Sequence, residues 1–195
     1  MRPRRAALIE NLLPKLRVPG VHSPGSPMRT QIDLAALFPN ARDIWLEIGF
    51  GGGEHLADVA FRHPDKGFIG CEPFINGVAK LLDRLDGDNL RNVRVHPGDA
   101  RDLIELLPEA CIGRVFLLYP DPWPKARHAG RRFVNAENLQ LLARVMRQDA
   151  QFRLATDIPV YLEHALLALE ASPDFQRLDA HGLGHALPWT DWPGT

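Results

Sequence analysis

Residues 44–53 read Ile-Trp-Leu-Glu-Ile-Gly-Phe-Gly-Gly-Gly, an apolar run that ends in a cluster of glycines. Residues 54–62 follow with the spacing of an amphipathic helix. A strand, a glycine turn and a helix in this order predict the start of a βαβ unit. The turn also indicates a ligand site, because backbone without side chains can be approached closely at the beginning of a helix.

The rest of the chain repeats this alternation of short apolar runs and amphipathic stretches. Further strands are predicted at 67–71, 93–96, 114–119, 152–155 and 175–179, and further helices at 73–85, 100–107, 135–147 and 159–171. Strands separated by helices of this length form right-handed crossovers in a parallel sheet. We therefore expect an α/β fold, Rossmann-like, with a doubly wound, mostly parallel sheet and helices on both faces.

The chain has 195 residues, which suits one domain with a small appendage. Residues 1–30 are predicted to form a basic helix and a Pro-, Gly- and Ser-rich linker, and residues 31–195 the main domain. Two cysteines are too few for a disulfide framework or a zinc cluster. No apolar stretch is long enough to span a membrane, and the basic start lacks the pattern of a signal peptide. These features favour a cytoplasmic protein without a metal centre.

The formal net charge of −1 argues at first against a nucleic-acid partner. The charge is unevenly distributed, however, because residues 125–132 (Lys-Ala-Arg-His-Ala-Gly-Arg-Arg) hold four fixed positive charges and no acid. A polyanion responds to such a local cluster more than to the total charge. Binding to RNA is therefore compatible with the composition.

Carboxylates occur at the end of each of the first five predicted strands. They are Glu47, Glu72, Asp99, Asp121 and Asp157. Because ligands of a doubly wound sheet bind beyond the carboxyl ends of its strands, these side chains are expected to meet at one edge. A set of acids at this edge suits a positively charged ligand.

The glycine turn does not match the dinucleotide pattern G-x-G-x-x-G, since Glu54 stands where the third glycine belongs. A carboxylate at that point would oppose a pyrophosphate. Glu72 follows the turn by about twenty residues, where an acid holds ribose hydroxyls, and Asp99 can meet an adenine amino group. Together they predict an adenosine-containing cofactor without phosphates, such as S-adenosylmethionine. NAD bound by a divergent loop is the alternative.

The fourth strand ends in Tyr119-Pro120-Asp121-Pro122-Trp123-Pro124-Lys125. Proline fixes its own φ and restricts the residue before it, so this loop has few conformations. We expect it to hold Asp121 at the reactive end of the cofactor. The alternative is a rigid turn in which Asp121 is only a cap.

These motifs together resemble those of the bacterial tRNA (guanine-N7-)-methyltransferases. Residues 119–128 are close to a signature of that family, residues 46–53 resemble its cofactor loop, and residues 70–73 resemble its ribose motif. Residues 131–133 and 155–157 also match, and the similarity runs from residue 31 to 193.

The resemblance implies a class I methyltransferase, S-adenosylmethionine as cofactor, and N7 of a guanine in the variable loop of tRNA as the methylated atom. It implies a catalytic role for Asp121. The predicted cofactor contacts are Glu47, Gly49, Gly51, Gly53, Glu72, Asp99, Ala100 and Asp121. The predicted substrate contacts are Lys125, Arg127, His128, Arg131, Arg132, Asp157 and Thr195.

Members of this family continue after a Pro-x-Thr with a basic residue, an aromatic residue and Glu, and this stretch contributes to the guanine site. Thr195 is expected to be its first residue. The family includes monomers and homodimers. Two other functions stay open on sequence grounds: a methyltransferase of the same fold with another substrate, and an RNA-binding relative without catalytic activity.

Overall fold

The computed structural model describes residues 1–22 and 24–178. One five-stranded sheet lies at its centre, with all neighbouring strands parallel and in the order β3-β2-β1-β4-β5. The strands are β1 (Ile44–Ile48), β2 (Gly67–Cys71), β3 (Val93–His96), β4 (Ile112–Leu118) and β5 (Met146–Ala155). The chain adds strands on one side of β1 and then returns to add β4 and β5 on the other. The strand order therefore reverses between β1 and β4, where this fold forms its ligand crevice.

Helices cover both faces of the sheet, which confirms the predicted doubly wound α/β fold. They are α1 (Pro3–Asn11), α2 (Leu13–Leu16), α3 (Leu34–Leu37), α4 (Glu54–Arg62), α5 (Ile75–Gly87), α6 (Ala100–Ile104), α7 (Ala136–Val145) and α8 (Pro159–Glu170), with a 3-10 helix at Ala126–Arg131. One apolar cluster joins the sheet to α6, α7 and α8, and a second joins it to α2, α4 and α5.

Burial explains why the central strands β1 and β2 are apolar apart from Glu47. Every residue of β1 and β2 is buried. In β1, Leu46 belongs to the first cluster and Trp45 to the second, because successive side chains point to opposite faces. A parallel strand buried on both faces has no solvent side and so lacks polar alternation.

The first 18 residues pack against the main domain. Arg4 and Arg5 form ion pairs with Asp83 of α5, at 3.0 and 3.4 Å. These pairs are partly exposed and contribute little by themselves. The buried Leu16 and the bond from the Val18 amide to a carbonyl of β3 attach the segment more firmly. The domain division at residue 30 stays a prediction.

Three strands differ from the sequence prediction, and the smallest difference is in β4, which spans Ile112–Leu118 instead of the predicted 114–119. β5 begins at Met146, six residues before the predicted start at residue 152, and its pairing with β4 is irregular between Ile112 and Arg114. Asp149 there has a φ of 65°. The bulge interrupts the alternation of side chains, so the polar start of β5 gives no strand signal. Residues 175–178 form no strand, and residue 179 lies outside the described residues.

Candidate active site

The carboxyl ends of the five strands lie at one edge of the sheet. Ile48 of β1 is level with Cys71 of β2 and Leu117 of β4, while Cys71 pairs with His96 and Leu118 with Ala155. Of the five predicted carboxylates, Glu47 belongs to β1 and Glu72 directly follows β2, while Asp99, Asp121 and Asp157 lie two or three residues beyond the ends of β3, β4 and β5. The structure thus brings them to the same edge, as the sequence predicts.

The glycine loop between β1 and α4 has a left-handed backbone. Gly49, Gly51 and Gly53 have φ values of 69°, 56° and 76°. A Cβ at Gly49 or Gly51 would meet no described atom within 4 Å, whereas one at Gly53 would lie 2.6 Å from Leu81. The first two glycines therefore offer bare backbone to open space, and Gly53 lets the loop pack against α5.

Glu72 joins the glycine loop to the start of α5. Its carboxylate accepts hydrogen bonds from the amides of Gly51 and Phe74, at 2.9 and 2.8 Å. The residue is buried, with 8% of its surface exposed. Each carboxylate oxygen has a second lone pair, so Glu72 can hold the loop and still accept bonds from two hydroxyls.

Gly77 of α5 was not recognised as a site residue from sequence. A Cβ here would lie 2.2 Å from the carbonyl oxygen of Gly51 and 3.2 Å from Cγ of Glu72. Only glycine lets the helix approach the loop this closely. The available signal was a glycine inside a predicted helix, which often marks a packing or functional requirement.

Glu47 faces inward instead of lining open solvent. It is 2% exposed, and its Oε2 lies 2.6 Å from Nδ1 of His55 in the first turn of α4. Burial raises the pKa of the Glu47 carboxyl, and the bond to His55 partly opposes that rise. The pair anchors α4 beneath the glycine loop. Sequence analysis missed His55, and the cofactor contact of Glu47 stays a prediction.

Asp99 caps the N-terminus of α6. It accepts a bond from the amide of Arg101 at 2.9 Å and another from Nε of Arg101 at 3.0 Å. The bonded guanidinium holds the pKa of Asp99 below its usual range. An adenine amino group would therefore share this carboxylate with Arg101. The adjacent Ala100 is buried, and both cofactor contacts stay predictions.

Asp121 is exposed in the loop after β4. The loop has two residues with left-handed backbone, Tyr119 at φ 48° and Trp123 at φ 39°. Neither is glycine, so each such conformation costs about 1–3 kcal/mol and needs support from its surroundings. The prolines predict a rigid loop, but nothing in the sequence points to positive φ at these bulky residues.

The basic segment that follows is organised around Trp123. The Arg131 guanidinium lies 4.8 Å from the Trp123 ring centroid, and the His128 ring stands edge-on to it at 5.7 Å. Lys125, Arg127 and Arg131 are exposed. Arg132 differs from them because it is 5% exposed and donates to the backbone carbonyls of Pro122 and Trp123, which precede the segment.

The last predicted substrate contacts lie after β5. Asp157 is exposed, and the neighbouring Thr156 accepts a bond from the Ile158 amide at the start of α8, at 3.2 Å. Thr195 lies outside the described residues. Within 1–22 and 24–178, the structure contains no group of three His, Cys, Asp or Glu side chains placed to bind a metal. No helix in those ranges is both long and apolar enough to cross a membrane.

Comparison with protein families and curated relatives identifies what the chain is similar to. A family model described as "Putative methyltransferase" matches residues 41–188. The tRNA (guanine-N(7)-)-methyltransferase of Paracoccus denitrificans is 48% identical over 100% of this chain, which covers 82% of that protein. The enzyme of the same name from Zymomonas mobilis is 44% identical over 100% of the chain, covering 81% of that protein.

Solved structures support the fold. The 16S rRNA methyltransferase KamB aligns with a TM-score of 0.53 and 19% identity, over 78% of this chain and 79% of that one. A SAM-dependent O-methyltransferase from Thermotoga maritima aligns with a TM-score of 0.52 and 18% identity, over 75% of this chain and 53% of that one. At these identities the similarity extends to the architecture alone.

Proposed function

The chain belongs to the tRNA (guanine-N7-)-methyltransferase family, and we propose that it transfers a methyl group from S-adenosylmethionine to N7 of a guanine in the variable loop of tRNA. Family membership rests on relatives that are 48% and 44% identical over the whole chain. The observation that carries the proposal is the meeting of the glycine loop and the Asp121 loop at the strand-order reversal between β1 and β4.

The residues at this edge suit an adenosine-containing cofactor. Gly49 and Gly51 leave open space above their backbone, and Glu72 has acceptor capacity left for two ribose hydroxyls. Asp99 and Ala100 would lie beside the adenine. S-adenosylmethionine supplies an electrophilic methyl group on a positively charged sulfonium when bound. The surrounding carboxylates are complementary to that charge.

Guanine N7 has an in-plane lone pair at neutral pH, so no side chain has to remove a proton from it. The protein's contribution is then the orientation of the base. In such reactions, orientation can lower the activation free energy by several kcal/mol, and by about 7–11 kcal/mol at most. Methylation leaves positive charge on the purine, and a fixed carboxylate at Asp121 favours that charge. Asp121 and Asp157 can also accept bonds from N1–H and the 2-amino group of guanine, which adenine does not offer as a pair.

The exposed cations next to Asp121 supply the contact with RNA. Lys125, Arg127 and Arg131 are accessible on one short segment, with His128 beside them. We expect them to bind phosphates and to make tRNA affinity depend strongly on salt. A base in a strand-end pocket cannot remain stacked, so the target guanine should be flipped out of the tRNA.

The direct test is transfer of labelled methyl from S-adenosylmethionine to bulk tRNA, followed by nucleoside analysis. We expect the label in 7-methylguanosine. Asp121→Asn should lower turnover by about 100-fold or more without lowering the melting temperature, because Asp121 is exposed. Asp88→Asn, a change at another exposed aspartate, at the end of α5, is the matched control and should act like wild type. Label in another nucleoside, or no transfer of label to tRNA, would contradict the proposal.

A further inference from the structure

Arg132 is a buried cation next to a group of exposed ones. It is 5% exposed, and its Nε and Nη2 donate to the carbonyl oxygens of Pro122 and Trp123, each at 3.1 Å. In the described part of the chain, no carboxylate lies within ion-pair distance of this guanidinium. Among the described residues, the side chain of Arg132 thus binds the carbonyls of the two residues that directly follow Asp121.

The backbone of Arg132 connects the same loop to the core. Its amide donates to the Ala129 carbonyl at 3.0 Å, closing the 3-10 helix, and its carbonyl accepts from the side chain of Asn135 at 3.1 Å. Asn135 caps α7 by accepting from the Asn138 amide at 2.9 Å. Because α7 packs into the first apolar cluster, these bonds of Arg132 attach the Asp121 loop to the core.

The geometry of these bonds matches a planar guanidinium. Two N–H donors of the guanidinium, here called its fork, bind two successive carbonyls. The single ammonium of lysine does not reproduce this arrangement. One of the carbonyls belongs to Trp123, whose φ of 39° is unfavourable for a bulky side chain. Without the fork, the loop would be free to relax to ordinary backbone angles and to move Asp121.

We propose that Arg132 is a positioning residue, which holds residues 122–123 and thereby Asp121, and that it does not contact tRNA phosphates. This inference rests on the proposed function and, for Arg132 alone, replaces the phosphate contact expected from sequence. Arg127 and Arg131 keep that role because they are exposed. Neighbouring arginines on one segment therefore have different roles. Arg132 holds the loop, and Arg127 and Arg131 bind RNA phosphates.

The same chemical change at a buried and an exposed arginine tests the proposal. In tRNA methylation measured over a range of salt, Arg132→Gln should lower kcat by about 10–100-fold, with the tRNA KM and its salt dependence close to wild type. Arg127→Gln should keep kcat, raise the tRNA KM, and lower the salt slope by about 1. Arg132→Gln that reproduces the Arg127→Gln pattern would overturn the proposal.

A lysine variant separates the fork from the charge. Arg132→Lys keeps the charge but loses the paired bonds, so its kcat should also fall. Wild-type kcat in this variant would overturn the proposal. If Arg132→Gln fails to fold, as judged by circular dichroism, Arg132→Lys supplies the same kinetic comparison.

Trypsin gives a readout that does not depend on methylation. The full chain is digested in the absence of tRNA, and mass spectrometry monitors cleavage after Lys125. This cleavage should be faster in both Arg132 variants than in wild type or Arg127→Gln. Equal rates would overturn the positioning role. If the wild-type chain does not methylate tRNA, the proposed function fails, while the cleavage rates still decide whether Arg132 holds the loop.

Discussion

Replacing Glu72 by glutamine keeps the size of the side chain but changes a buried junction of the site. In the wild type, the carboxylate accepts bonds from two amides, those of Gly51 and Phe74, at 2.9 and 2.8 Å. The glutamine oxygen can accept one of them, and its NH₂ group then faces the other amide. The variant therefore loses one charge-assisted bond and leaves a buried donor without an acceptor.

A bond to a charged group contributes about 1.5–3 kcal/mol, and an unsatisfied buried donor costs about 1–3 kcal/mol. Because Glu72 is 8% exposed, water can compensate only in part. We expect Glu72→Gln to lower the free energy of unfolding by about 2–4 kcal/mol. For a chain of this size the melting temperature should then fall by roughly 4–16 °C. Because we propose that this carboxylate binds the ribose hydroxyls, the variant should also weaken cofactor binding by about 10–100-fold.

Urea unfolding without cofactor measures the first effect, and titration calorimetry with S-adenosylmethionine measures the second. Glu105→Gln is the control, since its carboxylate is 43% exposed and pairs with Arg29 at 2.8 Å. That change should cost less than about 1 kcal/mol. If Glu72→Gln unfolds with the same free energy as Glu105→Gln, the junction assigned to Glu72 does not hold the loop.

Two further predictions concern the packing of α5 and of α8. Gly77→Ala should lower the free energy of unfolding by about 1–3 kcal/mol and weaken cofactor binding, because the new methyl group would lie 2.2 Å from the Gly51 carbonyl oxygen. Gly87→Ala is the control, because a Cβ there would have no described atom within 4 Å. In thermal unfolding it should be neutral or stabilising. Burial raises the pKa of Tyr161 to about 12 from an ordinary value of 10.0, so the folded state holds this proton more tightly and loses stability as the pH rises from 10 to 12. Wild type should lose about 2 kcal/mol more over that range than Tyr161→Phe, and parallel alkaline unfolding curves would contradict this assignment.

Local patterns were sufficient for the elements around the glycine loop. The apolar run of β1 and the amphipathic spacing of α4 depend on near neighbours in the chain, so both elements have the predicted bounds, Ile44–Ile48 and Glu54–Arg62. The place of Glu72 was also predictable, because residues at the ends of parallel strands converge on one edge. The first half of β5 was not, since a bulge removes the periodicity that marks a strand.

Contacts between distant segments were beyond the reach of these patterns. His55 has no special feature on an amphipathic helix until the fold places it 2.6 Å from Glu47. Gly77 is an ordinary helical glycine until the Gly51 carbonyl lies where its side chain would be. The bonds that attach Asp99 to Arg101 also required the structure, because the sequence offers several cations that could pair with this acid.

The sequence by itself determined the α/β class, the edge of the sheet at which the site lies, and the family, because these depend on periodicity, strand ends and motifs along the chain. The tertiary structure alone decided which charged side chains reach solvent. Arg131 and Arg132 are identical neighbours in sequence, yet the first covers Trp123 from outside and the second holds its carbonyl from within. Burial depends on which distant segments pack around a residue, and for this reason one arginine is available to a ligand and the other supports the loop.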